Sequence, residues 1–435
     1  MKNAPYYLIA VLLALDNVFV SKRIGFLSVD RLLEILIFFL FFKQFIAEFK
    51  ANFFFKRFNQ FLIAFICLKF LMNLKFIIVG NIDLLVLIKD AFKGFTFIIY
   101  AFLFVVLLKK GTKYLRIITW VHLGILIFSL LHHPLSPIAG EIQEFKKTLL
   151  TSNSASMQSA DLSNEEIYIE HGYANRFRLS GPFAFAITFS YFAITSFILN
   201  LFLFMKTNKK FYLLVLGLLV ITAFLSQTRS LILGIFIISA AYILLIKNTG
   251  ARYKFRLFVA SIFSFLALLA VFNSISSIDS RITSTDGTGG GSDNRPLLWT
   301  TGIMAVVENP FGVTDAEYDV TRREMFERYG DSSLLHLTSH NGLINVGFQY
   351  TFFGYILFAF FSYFLYKHAI TLPKSYKILF VSSLLGYLVH TSFHNNFILY
   401  ADYPFLIILM LIGYSEQILE TKNSRQKNIS IDIGY

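Results

Sequence analysis

The run Ile37-Phe-Phe-Leu-Phe-Phe42 decides the class of fold. Six consecutive large apolar side chains leave no polar face, so such a run would promote aggregation in water. It belongs to a chain of 435 residues, of which 56% are hydrophobic, 15% are charged and 52 are Phe. With a mean hydropathy of +0.63, the chain has too little polar surface to cover a soluble globule. The composition predicts an all-α, polytopic integral membrane protein embedded in a lipid bilayer.

Apolar stretches recur on both sides of that run, and most are near the roughly 20 residues that cross a bilayer. About twelve transmembrane helices are predicted, near 5–20, 32–48, 60–80, 83–108, 115–131, 181–205, 211–226, 229–246, 257–273, 342–366, 376–397 and 402–419. The predicted organisation is N-terminal helices over 1–131, a large loop over 132–180, central helices over 181–273, a second large loop over 274–341, C-terminal helices over 342–420 and a tail over 421–435.

The distribution of Lys and Arg along the chain provides an independent test of the predicted spans. If the N-terminus is cytoplasmic, every segment predicted to lie inside is basic, as the positive-inside rule requires. The inner basic clusters fall within 50–57, 109–116, 206–210, 247–256, 367–377 and 422–427. Lys22 and Arg23 are the exception, since they fall outside. The net charge of +13 is thus distributed as topology-setting clusters, and no nucleic-acid partner is predicted.

The two large loops then face outward, together with the short turn Ser226-Gln-Thr-Arg229. Topology alone does not explain arginines on that face, and guanidinium binds phosphate and carboxylate oxygens bidentately. A pyrophosphate or an acidic sugar is therefore a natural partner. Pairing with loop carboxylates or lipid headgroups is the plainer alternative for each arginine. The arginines predicted on the outer face are Arg178, Arg229, Arg281, Arg295 and the group Arg322, Arg323 and Arg328.

The histidines suit two roles, that of proton acceptor and that of metal ligand. His340 lies beside Asn341 where the second loop re-enters the membrane, and a neutral imidazole there could accept a proton from a sugar hydroxyl or orient it. The pairs His336/His340 and His390/His394 have the i, i+4 spacing of metal ligands. The first lacks the Glu of HExxH, and no third ligand follows by spacing. No metal site and no cofactor are predicted.

Five short motifs occur in a characteristic order along these outer segments. They are Arg178-Leu-Ser-Gly-Pro-Phe183, Ser226-Gln-Thr-Arg-Ser230, Asn294-Arg-Pro-Leu-Leu-Trp299, Glu308-Asn-Pro-Phe-Gly312 and Ser339-His-Asn341. The ordered set resembles the O-antigen polymerase and O-antigen ligase superfamily of bacterial envelope glycosyltransferases. The likeness covers roughly residues 175–370.

The resemblance implies a metal-independent membrane glycosyltransferase in the bacterial inner membrane, with its active face in the periplasm. Its donor would be a glycan linked to undecaprenyl pyrophosphate, and a chain-length regulator is a candidate partner. Carried over, His340 and Arg295 become the candidate catalytic residues. Arg178, Arg229, Arg281 and Asn341 become candidates for binding the pyrophosphate or the glycan. Asn309-Pro-Phe-Gly312 is expected to form a turn.

One departure bears on the activity. Family ligases commonly have a glycine ten residues after the Asn of the His-Asn pair, whereas this chain has Thr351. The difference favours an O-antigen polymerase over a ligase that transfers polymer to the lipid A core. A lipid-linked oligosaccharide flippase or transporter is the alternative from another class. Its pathway would use Lys89, Asp90 and Lys93, which interrupt the fourth predicted span.

Overall fold

A computed structural model describes residues 3–15, 18, 23–24, 27–80, 84–133, 136–146, 179–183, 186–245, 250–274, 295–336, 339, 341–394 and 405–411. These residues are helical except for turns and a hairpin of two-residue strands, β1 (Arg23–Ile24) and β2 (Leu27–Ser28). The expected all-helical membrane architecture is confirmed at this level.

Sixteen helices are described, and a further helical run covers residues 405–411. The first eight are α1 (Ala4–Ala14), α2 (Val29–Leu40), α3 (Phe42–Ala51), α4 (Phe53–Ile78), α5 (Leu84–Lys110), α6 (Thr112–Leu131), α7 (Ala139–Phe145) and α8 (Ala186–Thr207). The others are α9 (Lys210–Leu225), α10 (Arg229–Leu245), α11 (Ala251–Ser274), α12 (Arg295–Glu308), α13 (Asp315–Tyr329), α14 (Ser333–His336), α15 (Gly342–Thr371) and α16 (Lys374–Thr391).

Five helices of the described part are long and apolar enough to cross a membrane, namely α4, α5, α6, α8 and α15. Three shorter apolar helices, α1, α9 and α10, accompany them. Their bounds agree with the predicted spans to within a few residues, apart from the first, where α1 ends at Ala14, and the third, where α4 begins at Phe53. The total of about twelve spans remains a prediction.

The stretch predicted as one span over 32–48 is divided at Phe41 into α2 and α3. The second part differs from a lipid-crossing helix because it carries Lys43, Glu48 and Lys50. Glu48 is buried and forms an ion pair with Lys109, at the basic end of α5. The stretch therefore forms two helices and not the single helix that was predicted.

The core is centred on α5, whose residues from Phe97 to Leu108 are buried almost without interruption. Such a helix is apolar all round because it contacts neighbours on every side. Helices α1, α2, α4 and α6 pack against it. Nearer its start, Asp90 accepts a hydrogen bond from Asn73 of α4 (3.0 Å) and lies 3.9 Å from Lys69 and from Lys93.

Helices α10 and α16 pack closely against each other at Gly234 and Gly386. A Cβ added at Gly386 would lie 2.6 Å from the carbonyl oxygen of Gly234 and 2.3 Å from Cγ1 of Ile238. Paired glycines are the usual device for bringing two membrane helices into contact, because the backbones themselves can meet. One helical turn above this crossing lie Ser230 on α10 and His390 on α16.

Helix α15 is broken at Thr351, which has φ 65° and ψ −179°. The break frees the amide of Phe352, which donates to the carbonyl of Pro310 (3.0 Å) in the turn between α12 and α13. That turn is the expected Asn-Pro-Phe-Gly turn, closed by a bond from the Gly312 amide to the Asn309 carbonyl (3.1 Å).

The described end of the second predicted loop is itself helical. Helix α13 begins at a capping box in which Thr314 and Glu317 bond reciprocally, and it ends before Gly330 at φ 68°. It packs on α15 through Tyr318 and Phe348 (4.9 Å between ring centroids). The loop is therefore anchored to the membrane helix that follows it.

Candidate functional site

The turn between α9 and α10 holds one of the predicted arginines. Arg229 is the first residue of α10, and its side chain is exposed. The turn packs against the described end of the Arg178-Leu-Ser-Gly-Pro-Phe183 motif, because the Leu179 amide donates to the Leu225 carbonyl (3.2 Å). Two of the five motifs thus meet at one end of the helix bundle.

Ser230, which follows Arg229, links α10 to α16 through hydrogen bonds. The hydroxyl of Ser230 lies 3.1 Å from Nδ1 of His390 and 2.7 Å from Nε2 of His394. On the other side of the His390 ring, Nε2 lies 3.2 Å from the hydroxyl of Ser190 on α8. Tyr191 covers both imidazoles, with its ring centroid 4.5 Å from that of His390. Three helices therefore share one chain of hydrogen bonds.

The same end of α16 contacts the second predicted arginine. The guanidinium carbon of Arg295, the first residue of α12, lies 5.2 Å from the centre of the Phe393 ring. Trp299, one turn further along α12, contacts the same ring (6.1 Å between centroids). A cation over an aromatic face is held in a defined position. Phe393 thus brings α12 against the histidine that follows it in sequence.

These contacts define a cluster of Ser230, His390, His394, Phe393 and Arg295, and Arg229 directly precedes Ser230 in the chain. Guanidinium can bind anionic oxygens, and imidazole can hold or move protons. Asn341 has a different described role. Its side-chain oxygen caps α15 by accepting from the amides of Leu343 (2.9 Å) and Ile344 (3.2 Å). Its use in binding substrate remains a prediction.

Three of the predicted site residues, Arg178, Arg281 and His340, lie outside the described residues. Their roles also remain predictions. Sequence reasoning did notice the pair His390 and His394, but only as a metal pair to be set aside. The signal missed was the alignment of Ser190, Ser230 and His390 near the outer ends of three predicted spans, each facing a neighbouring helix.

A second polar cluster lies at the end of α6. His132 is hydrogen-bonded to Gln143, and Lys146 donates to the hydroxyl of Ser180 (2.7 Å). Burial, with the nearby positive charge of Lys146, lowers the pKa of His132 to about 4. Burial alone lowers the pKa of the adjacent His133 to about 4. Both imidazoles are therefore neutral at pH 7.

Residues 213–359 match the family model described as O-antigen ligase. The match makes this segment similar to the O-antigen ligase and polymerase superfamily that the sequence motifs resemble. No curated protein and no solved structure matches the chain. The matched segment of the O-antigen ligase family runs from α9 into α15, so it contains Arg229, Arg295 and Asn341. It also contains the break at Thr351, whereas His390 and His394 follow it.

Proposed function

We propose that the chain is an O-antigen polymerase, which joins undecaprenyl-pyrophosphate-linked oligosaccharide repeats at the periplasmic face of the bacterial inner membrane. The observation that supports this most directly is that Arg295 contacts Phe393, whose neighbour His394 is hydrogen-bonded to Ser230, the residue that follows Arg229. Both arginines lie in the segment that matches the O-antigen ligase family. The family resemblance supplies the lipid-linked glycan as substrate.

The proposed reaction requires the protein to position the two substrates and to stabilise the developing negative charge. An acceptor hydroxyl attacks the anomeric carbon of the donor glycan, the bond from that carbon to the pyrophosphate oxygen breaks, and the hydroxyl proton is released to water. Arg229 and Arg295 stabilise the negative charge that grows on the departing pyrophosphate. In this proposal His340 orients the acceptor hydroxyl, while Arg178, Arg281 and Asn341 bind the glycan or the pyrophosphate. Holding both lipid-linked partners in attacking geometry supplies much of the acceleration.

The ligase reaction is the second candidate, favoured by the description of the matching family as O-antigen ligase. It shares the donor and the arginines, and it differs only in the acceptor, which would be the lipid A core. A flippase is a third alternative, in which Asp90 and its neighbouring lysines would line a pathway. Asp90 is already held by Asn73 and lies near Lys69 and Lys93.

Deletion of the gene followed by gel display of the surface glycan distinguishes the two enzymes. Loss of a polymerase leaves lipid A core that carries a single repeat. Loss of a ligase leaves polymer on the undecaprenyl carrier and none on the core. An unchanged glycan pattern in the deleted strain would contradict both proposals.

Variants at the two arginines test the site. Arg229→Ala and Arg295→Ala should each reduce glycan elongation by roughly 10²-fold or more, as loss of a preorganised charge donor does. Lysine at either position should restore only part of the activity, because it lacks the planar fork. Arg252→Ala, on exposed α11, is the matched control and should elongate glycan normally. Normal elongation by both site variants would remove the arginines from the mechanism.

A further inference from the structure

A group of three lysines lies where α4 and α5 meet α15 and the turn between α12 and α13. Lys69 on α4 donates to the side-chain oxygen of Gln349 on α15 (2.7 Å). Lys75, less than two turns further along α4, donates to the Gly312 carbonyl in that turn (2.9 Å). Lys93 on α5 completes the set, because it lies near the same carboxylate as Lys69. These three residues are called the lysine group below.

Carboxylates offset the charge of the lysine group without closing it to an anion. Asp90 lies 3.9 Å from both Lys69 and Lys93, and Glu317 lies 3.7 Å from Lys75. These distances exceed the roughly 2.7–2.9 Å of a charge-assisted hydrogen bond between an ammonium and a carboxylate. An ammonium has several N–H donors, so each lysine can make these contacts and still donate to a further oxygen. Among these five side chains, positive charge exceeds negative charge.

Lys93 is the most accessible member of the lysine group. Its side chain is 62% exposed, although it lies about 13 Å along α5 from the start of that helix, well inside the length that crosses a bilayer. A charged side chain at such a depth is costly, and intramembrane lysines therefore mark pathways for anionic or polar groups. Exposed apolar side chains on the same two helices, such as Leu71 on α4 and Ile88 on α5, offer a surface for a lipid tail.

Helix α12 separates the lysine group from Arg295. The helix begins at Arg295 and ends at Glu308, and the turn that follows it contains the Gly312 carbonyl bound by Lys75. Its 14 residues are about 21 Å long. The arginine and the lysines are therefore tied to opposite ends of one helix.

We infer that the lysine group binds the pyrophosphate of the acceptor, and this inference rests on the polymerase reaction proposed above. The donor loses its pyrophosphate when its anomeric carbon is attacked. The acceptor keeps its own pyrophosphate, because it reacts through a hydroxyl further along its repeat. The two pyrophosphates therefore need separate cationic sites with glycan between them, and the two ends of α12 provide that separation. A ligase needs no second site of this kind, since its acceptor carries no polyprenyl pyrophosphate.

Transfer kinetics of the purified full-length protein in uncharged micelles test the inference, with each substrate restricted to one role. A donor whose sugar hydroxyls are methylated can only donate. An acceptor joined to its pyrophosphate through a methylene can only accept. Lys75→Gln and Lys93→Gln should each raise the KM for the acceptor by about tenfold or more, as loss of a charged hydrogen bond does. The KM for the donor, and kcat at saturating acceptor, should stay within about threefold.

Two matched variants and one matched substrate provide the controls. Lys93→Arg keeps the charge and should keep the acceptor KM within about threefold of the wild type. Lys56→Gln, exposed near the other end of α4, should behave as the wild type. An acceptor joined to the same lipid through a neutral ether should bind more weakly to the wild type. Lys93→Gln should weaken that neutral acceptor no further, because the contact is already missing.

The outcomes separate the inference from the proposed function. If the wild type elongates lipid-linked repeats and Lys93→Gln keeps the acceptor KM within about threefold, the lysine site is wrong although the polymerase proposal stands. An equal loss with the neutral acceptor would mean that the lysines act on the fold, which also overturns the inference. If Lys75→Gln does not fold, Lys93→Gln decides the question, since its side chain is exposed. If the wild type transfers glycan only to lipid A core, the polymerase proposal and this inference both fail.

Discussion

At Thr351 we expect glycine to give a more stable protein than alanine, which is the reverse of the order found within an ordinary helix. Its φ of 65° with ψ near 180° lies in a region that is essentially restricted to glycine. A residue with a Cβ in this region costs about 1–3 kcal/mol. Replacing Thr351 by glycine removes that cost, whereas replacing it by alanine keeps the Cβ and the strain.

The comparison of the two variants isolates the backbone contribution. Both lose the threonine hydroxyl, which accepts from the Phe353 amide (3.3 Å). Glycine relieves the strain of about 1–3 kcal/mol but loses up to about 1 kcal/mol relative to alanine because its unfolded chain has more conformational entropy. Thr351→Gly should therefore unfold with a free energy about 1 kcal/mol above that of Thr351→Ala, within a range of about 0–2 kcal/mol.

Unfolding by SDS titration in mixed micelles measures this difference. Ala359, on an exposed face of the same helix, provides the control. Ala359→Gly should lower the free energy of unfolding by about 1 kcal/mol. If Thr351→Gly is likewise less stable than Thr351→Ala by about 1 kcal/mol, the residue has ordinary helical geometry and the reasoning is wrong.

Three further predictions concern packing, pH and capping. Gly386→Ala should lower the SDS unfolding free energy by about 1–3 kcal/mol because its Cβ would overlap Ile238; an unchanged value would mean that α10 and α16 are further apart. The pKa of His132 is about 4 in the folded protein and 6.5 in the unfolded chain. The unfolded chain therefore binds the proton first as the pH falls. Thermal stability should therefore be complete above pH 6.5 and fall towards pH 4, and His132→Gln should weaken this decline. Thr314→Ala should cost about 1 kcal/mol and increase amide hydrogen exchange at the start of α13, whereas Thr314→Ser should retain protection.

Sequence patterns predicted the apolar helices well because hydrophobic length alone defines them. The predicted stretch 83–108 corresponds to α5, and 229–246 corresponds to α10. The division of 32–48 was missed because the apolar run continues across Phe41, while the deciding contact joins Glu48 to Lys109. Such a long-range ion pair leaves no trace in local hydropathy.

The candidate site was predictable only in part for a similar reason. Arg229 and Arg295 were recognisable because guanidinium on the outer face needs an explanation beyond topology. The hydrogen bonds of His394 and His390 come from Ser230, which is 164 positions from His394, and from Ser190, which is 200 positions from His390. Likewise, sequence showed Thr351 in place of a glycine, but only the backbone angles show why a glycine suits that position.

The charged contacts between α4 and α5 bear on how the chain enters the membrane during synthesis. Lys69 and Asp90 lie on consecutive helices joined by a short connection, and Asn73 adds a hydrogen bond between them. A single charged residue in the middle of an isolated membrane helix costs about 2.5–3.5 kcal/mol on insertion scales. The two helices offset part of that cost only when they are together. The translocon should therefore release α4 into lipid late, after α5 has emerged, so that the two enter as one hairpin.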